Sequence, residues 1–277
     1  MKKSVVEPGL SEKLASLKNI LSEMGSILVA YSGGVDSTFL LKVASGVLGD
    51  KVVAVTASSE TYPPGELEEA KKIAVKVGVK QIVIHTNELD NSSFAANPPE
   101  RCYYCKTELF TKLTELAKQY KLNYIVDGSN YDDLKDFRPG MKAASQFGVR
   151  SPLKEAGLTK EEIRTLSKRM GLPTWDKPPQ PCLSTRFPYG AAITRENLSK
   201  VGLAEEFLAK FGLKQLRVRV HGDIARIEVP KDDMKIFLDK DVSQKIVDKF
   251  KELGYTYVTL DLQGYRMGSM NEPLKQI

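Results

Sequence analysis

The sequence is poor in cysteine and histidine and has no long apolar run. Its 277 residues include three cysteines and two histidines. An odd and small number of cysteines argues against a disulfide framework. No segment approaches the roughly 18 consecutive apolar residues of a membrane-spanning helix. Glu7, Glu12 and Lys13 interrupt the N-terminal stretch, which therefore lacks the apolar core of a signal peptide. These absences predict a cytoplasmic protein with no membrane partner.

The overall charge is basic. The formal net charge is +6 and the isoelectric point is about 9.0, which favours anionic ligands such as nucleotides, phosphates or RNA. The excess is modest and no run of like charges stands out, so a nucleic-acid partner is not expected. A hydrophobic fraction of 42% is ordinary for a globular chain that can bury a core.

The first half alternates strand-like and helix-like segments. Short apolar runs predict strands at 26–31, 52–57, 81–85 and 124–127, and helical spacing predicts helices at 37–48, 64–77 and 103–120. Repeated strand–helix–strand units indicate a parallel sheet covered by helices on both faces. The pattern therefore predicts an α/β, Rossmann-like domain.

The second half has a different rhythm after a capping box at 159–162 and a proline-rich stretch at 177–181. We predict one domain at 1–180 and a smaller α+β domain at 181–277. Within the latter, the pattern predicts helices at 196–211 and 233–253, a hairpin of strands at 215–220 and 224–229, and a last strand at 255–262.

A glycine-containing loop, Ser-Gly-Gly-Val-Asp-Ser, lies between the first predicted strand and helix at residues 32–37. Gly33 and Gly34 let the backbone approach an anion, and the N–H groups at the helix start point towards it. Ser32 and Ser37 add hydroxyl donors, while Asp36 either helps to bind Mg²⁺ or caps the helix. The plainer alternative is a glycine turn that only caps a helix. The loop is neither a Walker A loop nor G-x-G-x-x-G, and it resembles the pyrophosphate loop of ATP pyrophosphatases, which leave AMP on an acceptor.

The cysteines form a C-x-x-C pair, Cys102 and Cys105, and a third residue, Cys182. The pair alone is compatible with a redox site, half of a zinc site or cluster ligands. His85 and His221 are the only histidines, so zinc has little support. Three thiolates can hold a [4Fe–4S] cluster and leave one iron open to bind hydrosulfide. Three simply buried cysteines are the plainer alternative.

With these residues in view, the chain resembles the LarE family of ATP-dependent sulfur-insertion enzymes. The resemblance covers nearly the whole length and rests on residues 32–37, 127–130, 136–140, 182, 186–190, 217–221, 223–228 and 257–261. The family makes the nickel-pincer nucleotide cofactor of lactate racemase. It adenylates a carboxylate of pyridinium-3,5-biscarboxylic acid mononucleotide and replaces an oxygen with sulfur, which gives a thiocarboxylate. The implied fold is a PP-loop ATP-pyrophosphatase domain with a small C-terminal domain.

Two sulfur chemistries are known in this family. In one branch a single cysteine, matched here by Cys182, donates its own sulfur and becomes dehydroalanine. In the other, three cysteines bind a [4Fe–4S] cluster that carries the sulfur. Because Cys102 and Cys105 are present, the resemblance implies the cluster branch, with ATP, Mg²⁺ and the cluster as cofactors and sulfide or another sulfur donor as partner. It also implies homo-oligomers, hexamers among them.

The resemblance also suggests residues that bind the substrate. Arg217 and Arg219 alternate on a predicted strand, face one way and match the family's substrate-phosphate ligands. Arg186 and Ser184 flank Cys182 and are candidates for the same phosphate or for the leaving AMP. The plainer alternative for the two strand arginines is a solvated face of an edge strand.

Further candidates come from single positions. Lys106 is either a neutraliser of phosphate or carboxylate charge or a plain surface lysine. Glu205 matches a family active-site position, although Glu206 is its neighbour. Gly128 follows the fourth predicted strand, where active-site loops gather, and Arg138 is expected in a turn near the nucleotide. Asp132, Asp133 and Asp136 are candidates for Mg²⁺ binding or for solvating the loop.

Other functions share parts of this pattern. A tRNA thiolase would have the same loop, cluster and adenylation step, but the C-terminal part lacks a recognisable RNA-binding module. A ligase that uses ammonia would need no cysteine cluster. A nucleotide sensor without catalysis would release no pyrophosphate with any acceptor.

Overall fold

A computed structural model describes residues 8–135 and 139–276. Two of the candidates, Asp136 and Arg138, lie outside the described residues. The first of two compact units comprises Met1–Ser59, Gly65–Glu88 and Cys102–Pro179, and the second comprises Glu60–Pro64, Leu89–Arg101 and Gln180–Ile277. The sequence-based division at residue 180 had assigned the two short segments of the second unit to the N-terminal domain.

Seven strands and ten α-helices occur among the described residues. In chain order they are α1 (Pro8–Met24), β1 (Ile27–Ala30), α2 (Val35–Leu48), β2 (Val52–Ser58), α3 (Glu66–Val77), β3 (Lys80–His85), α4 (Ser92–Ala95), α5 (Arg101–Gln119), β4 (Tyr124–Val126), α6 (Gly140–Gln146), α7 (Pro152–Glu155), α8 (Lys160–Arg169), α9 (Arg195–Ala209), β5 (Arg217–His221), β6 (Ile224–Glu228), α10 (Lys240–Glu252) and β7 (Tyr257–Leu260).

The first unit is built on a parallel sheet with the strand order β3-β2-β1-β4. Strands β1 and β2 are almost continuously apolar and buried, as expected for strands covered on both faces. Two separate apolar clusters cover the sheet, one including residues of α1, α2 and α3 and the other including residues of α5 and α6. The predicted α/β, Rossmann-like fold class is therefore confirmed.

Helix α1 was not predicted from the sequence. Its buried residues Leu10, Leu17, Leu21 and Met24 follow helical spacing, and they pack into the same apolar cluster as α2. The signal was therefore present, but it lies among many polar residues. Among the described residues, no helix combines the length and the hydrophobicity that a membrane span requires.

The second unit contains a three-stranded sheet in the order β5-β6-β7. Strands β5 and β6 form the predicted antiparallel hairpin, and β7 pairs with β6 in parallel. The predicted single helix at 233–253 was wrong, because a 3₁₀ helix, Lys231–Leu238, precedes α10. The break lies at Asp239, whose carboxylate accepts from the N–H groups of Asp241 and Val242 and thereby caps α10.

Candidate active site

The loop at residues 32–37 joins β1 to α2 and depends on Gly33. This glycine has a φ of +74°, a conformation that side chains disfavour. A Cβ atom at Gly33 would lie 2.8 Å from the Cβ of Ala70, which is buried on α3. Both the backbone conformation and the neighbouring helix therefore require glycine at this position.

The start of α2 offers backbone donors to an anion. Gly34 occupies the N-cap, and glycine has no side-chain acceptor for the first N–H groups of the helix. The hydroxyl groups of Ser32 and Ser37 lie 3.0 Å apart, and the N–H of Gly34 donates to Ser32 Oγ at 3.4 Å. The loop thus gathers two hydroxyl groups beside a helix N-terminus, which is the geometry of a phosphate-binding loop.

Gly128 lies directly against this loop. A Cβ atom at Gly128 would be 2.9 Å from the backbone nitrogen of Ser37, so only glycine permits the approach. The preceding residue, Asp127, accepts hydrogen bonds from the hydroxyl groups of Ser129 and Ser151, at 2.9 and 2.8 Å. Gly128 therefore packs closely against the first turn of α2, next to the loop at residues 32–37.

Asp36 forms an ion pair that the sequence did not predict. Its Oδ2 lies 2.6 Å from Nζ of Lys160, the first residue of α8, which is 124 positions further along the chain. The other oxygen, Oδ1, is buried and has no hydrogen-bond partner among the described residues. The backbone N–H of Lys160 donates to Asp132 at 2.8 Å, and buried Asp133 accepts from the N–H of Asn130 at 3.0 Å. Two of the proposed Mg²⁺ ligands thus have structural hydrogen bonds.

Cys102 and Cys105 lie within the first two turns of α5, three residues apart and hence on one face of the helix. Both are half buried, and neither forms a disulfide. The thiol of Cys105 donates to Oε1 of Glu88 at 3.6 Å, and the hydroxyl of Thr86 donates to the same oxygen at 2.9 Å. Glu88 is 3% exposed, and its Oε2 has no hydrogen-bond partner among the described residues. The pair therefore stands beside a buried carboxylate.

Lys106 follows the cysteine pair, and its side chain is half buried. A Cβ atom at Gly140, the first residue of α6, would lie 3.0 Å from Cγ of Lys106, so the lysine stem packs against this glycine. Its Nζ lies 5.5 Å from the ring centroid of Phe110. Lys106 is therefore more enclosed than a plain surface lysine.

The third cysteine belongs to the second unit. Among the residues that the structure describes, no three histidine, cysteine or acidic side chains are gathered closely enough to hold a metal ion. The donor chemistry of Cys102 and Cys105 nevertheless suits a cluster, because two thiols share one helix face and thiolates are the usual ligands of iron–sulfur clusters.

Arg186 organises the backbone around Cys182. The arginine ends the 3₁₀ turn Leu183–Arg186, and its side chain is fully buried. Its Nε and Nη2 donate to the two carboxylate oxygens of Glu205, at 2.9 and 2.8 Å. Its Nη1 donates to the carbonyl oxygens of Pro181 and Cys182, at 2.9 and 3.1 Å. The guanidinium group thus holds the two peptide groups that flank Cys182, one on each side of its Cα atom.

Glu205 connects this turn to the sheet of the second unit. Besides binding Arg186, its Oε1 accepts from the N–H of Val218 on β5 at 2.9 Å. Ser184 lies in the same turn, and its hydroxyl oxygen is buried without a hydrogen-bond partner among the described residues. A buried and unsatisfied hydroxyl is costly unless a ligand or water binds it.

Arg217 and Arg219 lie on the same strand but have different neighbours. Arg219 pairs with the fully buried Glu228 at 2.9 Å and donates to the carbonyl oxygen of Thr185 at 3.1 Å. Arg217 lies over the ring of Tyr265, 5.5 Å from its centroid. Burial, followed by the positive charge of Arg186, lowers the pKa of Arg217 to about 10. Burial and the nearby positive charge of Arg186 thus lower the pKa of Arg217, and the negative charge of Glu205 opposes them.

Sequence reasoning missed three partners of these residues. Lys160 was recognised only as part of a capping box, and nothing in that motif indicated its contact with Asp36. Glu88 and Glu228 were not singled out either, although each is a buried carboxylate. Glu228 is the last residue of β6 and Glu88 follows β3 by three positions, and a charged residue at or just after the end of a strand is also typical of exposed positions.

Similarity to known proteins identifies the family of this fold and loop. No protein-family model matches the chain. The chain is 38% identical over 266 residues to pyridinium-3,5-bisthiocarboxylic acid mononucleotide synthase of Lactiplantibacillus plantarum, and the match covers 96% of each chain. The chain belongs to the LarE family. An uncharacterised protein from Synechocystis sp. is 47% identical, over 96% of this chain and 99% of that relative.

The LarE-family chain also has more distant relatives. Over 71% of its length it is 29% identical to the glutamine-hydrolyzing GMP synthase of Aeropyrum pernix, of which the match covers 41%. These similarities and the parallel sheet identify the first unit as a PP-loop domain of the ATP-pyrophosphatase type. The protein is therefore an enzyme of a family with ATP-dependent, adenylating chemistry.

Proposed function

We propose that this protein transfers sulfur, at the expense of ATP, to a carboxylate of pyridinium-3,5-biscarboxylic acid mononucleotide. The observation that carries the proposal is the 38% identity to a synthase of the bisthiocarboxylic acid over 96% of both chains. The loop at residues 32–37 supports it, since this loop has the geometry to bind phosphates.

The reaction divides into two steps. A carboxylate oxygen of the substrate attacks the α-phosphorus of ATP, the bond to the bridging oxygen breaks, and pyrophosphate leaves. A sulfur nucleophile then attacks the carboxyl carbon of the acyl adenylate, and AMP departs with the former carboxylate oxygen. Ser32, Gly33, Gly34 and Ser37 would bind the phosphates, and Asp36 would bind Mg²⁺, because its buried Oδ1 is a carboxylate oxygen without a partner among the described residues.

Arg217 would be the principal ligand of the substrate phosphate. Its side chain is buried on β5 close to the positive charge of Arg186, and the buried hydroxyl of Ser184, which has no hydrogen-bond partner among the described residues, is a candidate second donor. Arg186 and Arg219 would mainly hold neighbouring groups in place, because each already forms an ion pair, with Glu205 and Glu228 respectively. Arg186 would keep Cys182 in place through its bonds to the carbonyl groups of Pro181 and Cys182.

Cys102, Cys105 and Cys182 would be the ligands of a [4Fe–4S] cluster. When bound, the cluster would supply sulfur to the activated carboxyl group, with sulfide as the donor that restores it. Lys106 would stabilise negative charge near Cys102 and Cys105, because it is the residue after Cys105 on α5 and carries an ammonium group. We expect the protein to assemble as a homo-oligomer, with a hexamer as one expected form.

Product analysis tests the reaction. The anaerobic protein is incubated with ATP, Mg²⁺, sulfide and pyridinium-3,5-biscarboxylic acid mononucleotide, and the products are identified by mass spectrometry. We expect a thiocarboxylate in which one oxygen has been replaced by sulfur, with one AMP for each sulfur transferred. AMP formation that does not require the pyridinium substrate, or no thiocarboxylate under any of these conditions, would rule the proposal out.

Iron analysis tests the cluster. We expect about four irons per chain after anaerobic reconstitution, lost in single Cys102→Ala, Cys105→Ala and Cys182→Ala variants. If iron does not bind but the wild-type protein still makes the thiocarboxylate, Cys182 itself is the donor. That case predicts a loss of the mass of H₂S at Cys182 after turnover.

A ligase that uses ammonia is a second candidate, favoured by the similarity to a glutamine-hydrolyzing GMP synthase. It would form an amide of the same activated carboxyl group. Replacing sulfide with ammonium in the product analysis distinguishes the two, because only the ligase would yield an amide and AMP without sulfide.

A further inference from the structure

The ion pair between Asp36 and Lys160 lies at the phosphate loop but is not part of the loop motif. Asp36 is in the first turn of α2, where the backbone donors converge. Oδ2 and Nζ are 2.6 Å apart, and the side chains of Lys160 and Asp36 are 36% and 20% exposed. An ion pair with this exposure is weakly bound and can open at little cost.

The backbone of Lys160 is anchored although its side chain is not. Thr159 caps α8 and forms a capping box with Glu162, and the N–H of Lys160 donates to Asp132 at 2.8 Å. Glu162 is in turn bound to Lys13 at 2.7 Å. Because these contacts fix the start of α8, only the flexible four-carbon side chain of Lys160 needs to move for its ammonium group to change partner.

Lys160 binds only one of the two carboxylate oxygens of Asp36. The ammonium binds Oδ2, whereas Oδ1 is buried without a hydrogen-bond partner among the described residues. Leaving a carboxylate oxygen buried and unpaired is costly, so a cation at Oδ1 would stabilise the site. Mg²⁺ combines one or two carboxylates with substrate phosphates, which suits the single carboxylate of Asp36 beside a phosphate loop.

We infer that Lys160 is a ligand of the pyrophosphate end of ATP and alternates with Mg²⁺ at Asp36. Without nucleotide, Lys160 neutralises the aspartate. When Mg²⁺ and ATP bind, the metal takes the carboxylate, and the released ammonium binds the β- and γ-phosphates. Lys160 then stabilises the charge that collects on pyrophosphate as the bond to the α-phosphorus breaks. This inference rests on the ATP site of the proposed function but is independent of the sulfur acceptor.

Ligands with and without the pyrophosphate end separate this role from a structural one. Calorimetric titrations with pyrophosphate and Mg²⁺, and separately with AMP, are compared for the wild-type protein and the Lys160→Met, Lys160→Arg and Lys13→Met variants. Lys13 is a matched control, because it forms an ion pair at 2.7 Å to the same helix start and is 35% exposed.

We expect Lys160→Met to weaken pyrophosphate binding about 10- to 100-fold, the effect of losing a hydrogen bond from a charged group, and to change AMP binding less than about twofold. Lys160→Arg should retain most of the pyrophosphate affinity, and Lys13→Met, which loses one contact of the helix start but no phosphate ligand, should lose far less affinity than Lys160→Met. In addition, Mg²⁺ alone should raise the unfolding temperature of Lys160→Met more than that of the wild type, because the metal no longer competes with the lysine.

The outcomes separate the two proposals. If the wild-type protein binds neither ATP nor pyrophosphate, the proposed ATP site fails. If it binds them but Lys160→Met weakens AMP and pyrophosphate equally, or neither, the role assigned to Lys160 is overturned. An Mg²⁺ effect of the same size in wild type and variant would contradict the alternation at Asp36. Should Lys160→Met not fold, a Lys160→Arg variant that loses pyrophosphate affinity in a folded chain would equally refute the inference.

Discussion

The two candidate anion sites use different physical means. The phosphate loop of the first unit relies on backbone N–H groups and two hydroxyl groups. The close packing of the backbone leaves no room for a side chain at Gly33 or Gly128. The arginine cluster of the second unit, comprising Arg186, Arg217 and Arg219, relies on buried charged side chains. Dipoles of the backbone need no counterion, whereas buried charges must be paired or they destabilise the fold.

This difference has a consequence for how substitutions act. In the loop, a single added carbon atom should impair ATP binding while most of the fold remains. In the arginine cluster, the removal of one charge leaves a buried partner uncompensated, so stability should fall together with activity. Glu205 and Glu228 are the partners that make the second site sensitive.

The largest effect on activity is expected for Gly33→Ala. The new Cβ would lie 2.8 Å from Ala70, at a φ of +74°, so the loop must shift. A displacement of this kind costs about 100-fold in rate when it misplaces reacting groups. Pyrophosphate release measured against ATP concentration checks the prediction.

Gly34→Ala is the matched control in the same loop. Gly34 has a φ of −79°, and a Cβ there would be 3.4 Å from Ser32 Oγ, an ordinary contact. We expect a much smaller loss of activity than for Gly33→Ala. Equal losses in the two variants would mean that space around Gly33 does not govern phosphate binding.

The largest effect on stability is expected for Arg186→Met. This change leaves the carboxylate of Glu205 without its arginine partner, and it removes the donor that binds the carbonyl groups of Pro181 and Cys182. Breaking a buried ion pair from one side costs about 3–5 kcal/mol. Urea unfolding measures the change, with Arg195→Met as control, because Arg195 is 58% exposed and should contribute little. Similar unfolding midpoints for both variants would contradict the claim that the arginine cluster depends on buried charge pairs.

Two helix caps provide a smaller and more selective comparison. Thr159 caps α8 in the first unit, and Thr194 caps α9 in the second, each through its hydroxyl oxygen. Substitution of either by alanine should lower the free energy of unfolding by about 1 kcal/mol. Only Thr159→Ala should also weaken ATP binding, since it loosens the anchor of Lys160, and calorimetric titration would show this. Loss of ATP affinity in Thr194→Ala alone would reverse the assignment.

The smallest expected effect is on the pH dependence of stability, through His221 at the end of β5. Although the His221 residue is exposed, partial desolvation of its ring, followed by the positive charges of Arg226 and Arg219 and opposed by Glu228, lowers the pKa of His221 below its ordinary value of 6.5. Below pH 6.5 the unfolded chain therefore binds this proton more readily than the folded chain, so stability falls as the pH decreases through that range. His221→Gln should lose less stability than the wild type between about pH 7.5 and pH 5. Parallel pH profiles of the two unfolding midpoints would refute this account.

The loop was predictable from the sequence because its determinants are local. Gly33, Gly34 and the two serines lie within six consecutive residues between an apolar strand and an apolar helix. Strands β1 to β4 were likewise recognisable, since buried parallel strands are short continuous apolar runs. The break at Asp239 was not, because an aspartate inside a helical pattern is also compatible with an uninterrupted exposed face.

The partners of the charged residues were not predictable, because they depend on contacts between distant parts of the chain. The arginines at 186 and 219 were recognised, whereas their carboxylates, 19 and 9 residues away, were not recognised as partners. Lys160 and Asp36 are 124 residues apart, and only the folded chain brings them together. The roles proposed for the cysteines and arginines remain predictions until they are measured.

An isotope experiment tests the central claim most directly. Pyridinium-3,5-biscarboxylic acid mononucleotide labelled with ¹⁸O in its carboxylates is converted anaerobically with unlabelled ATP, Mg²⁺ and sulfide, and the released AMP is analysed by mass spectrometry. Because the carboxylate oxygen becomes the bridge to the α-phosphorus and leaves with AMP, we predict one ¹⁸O in each AMP and a thiocarboxylate that retains one labelled oxygen. AMP without the label would contradict adenylation of the carboxylate.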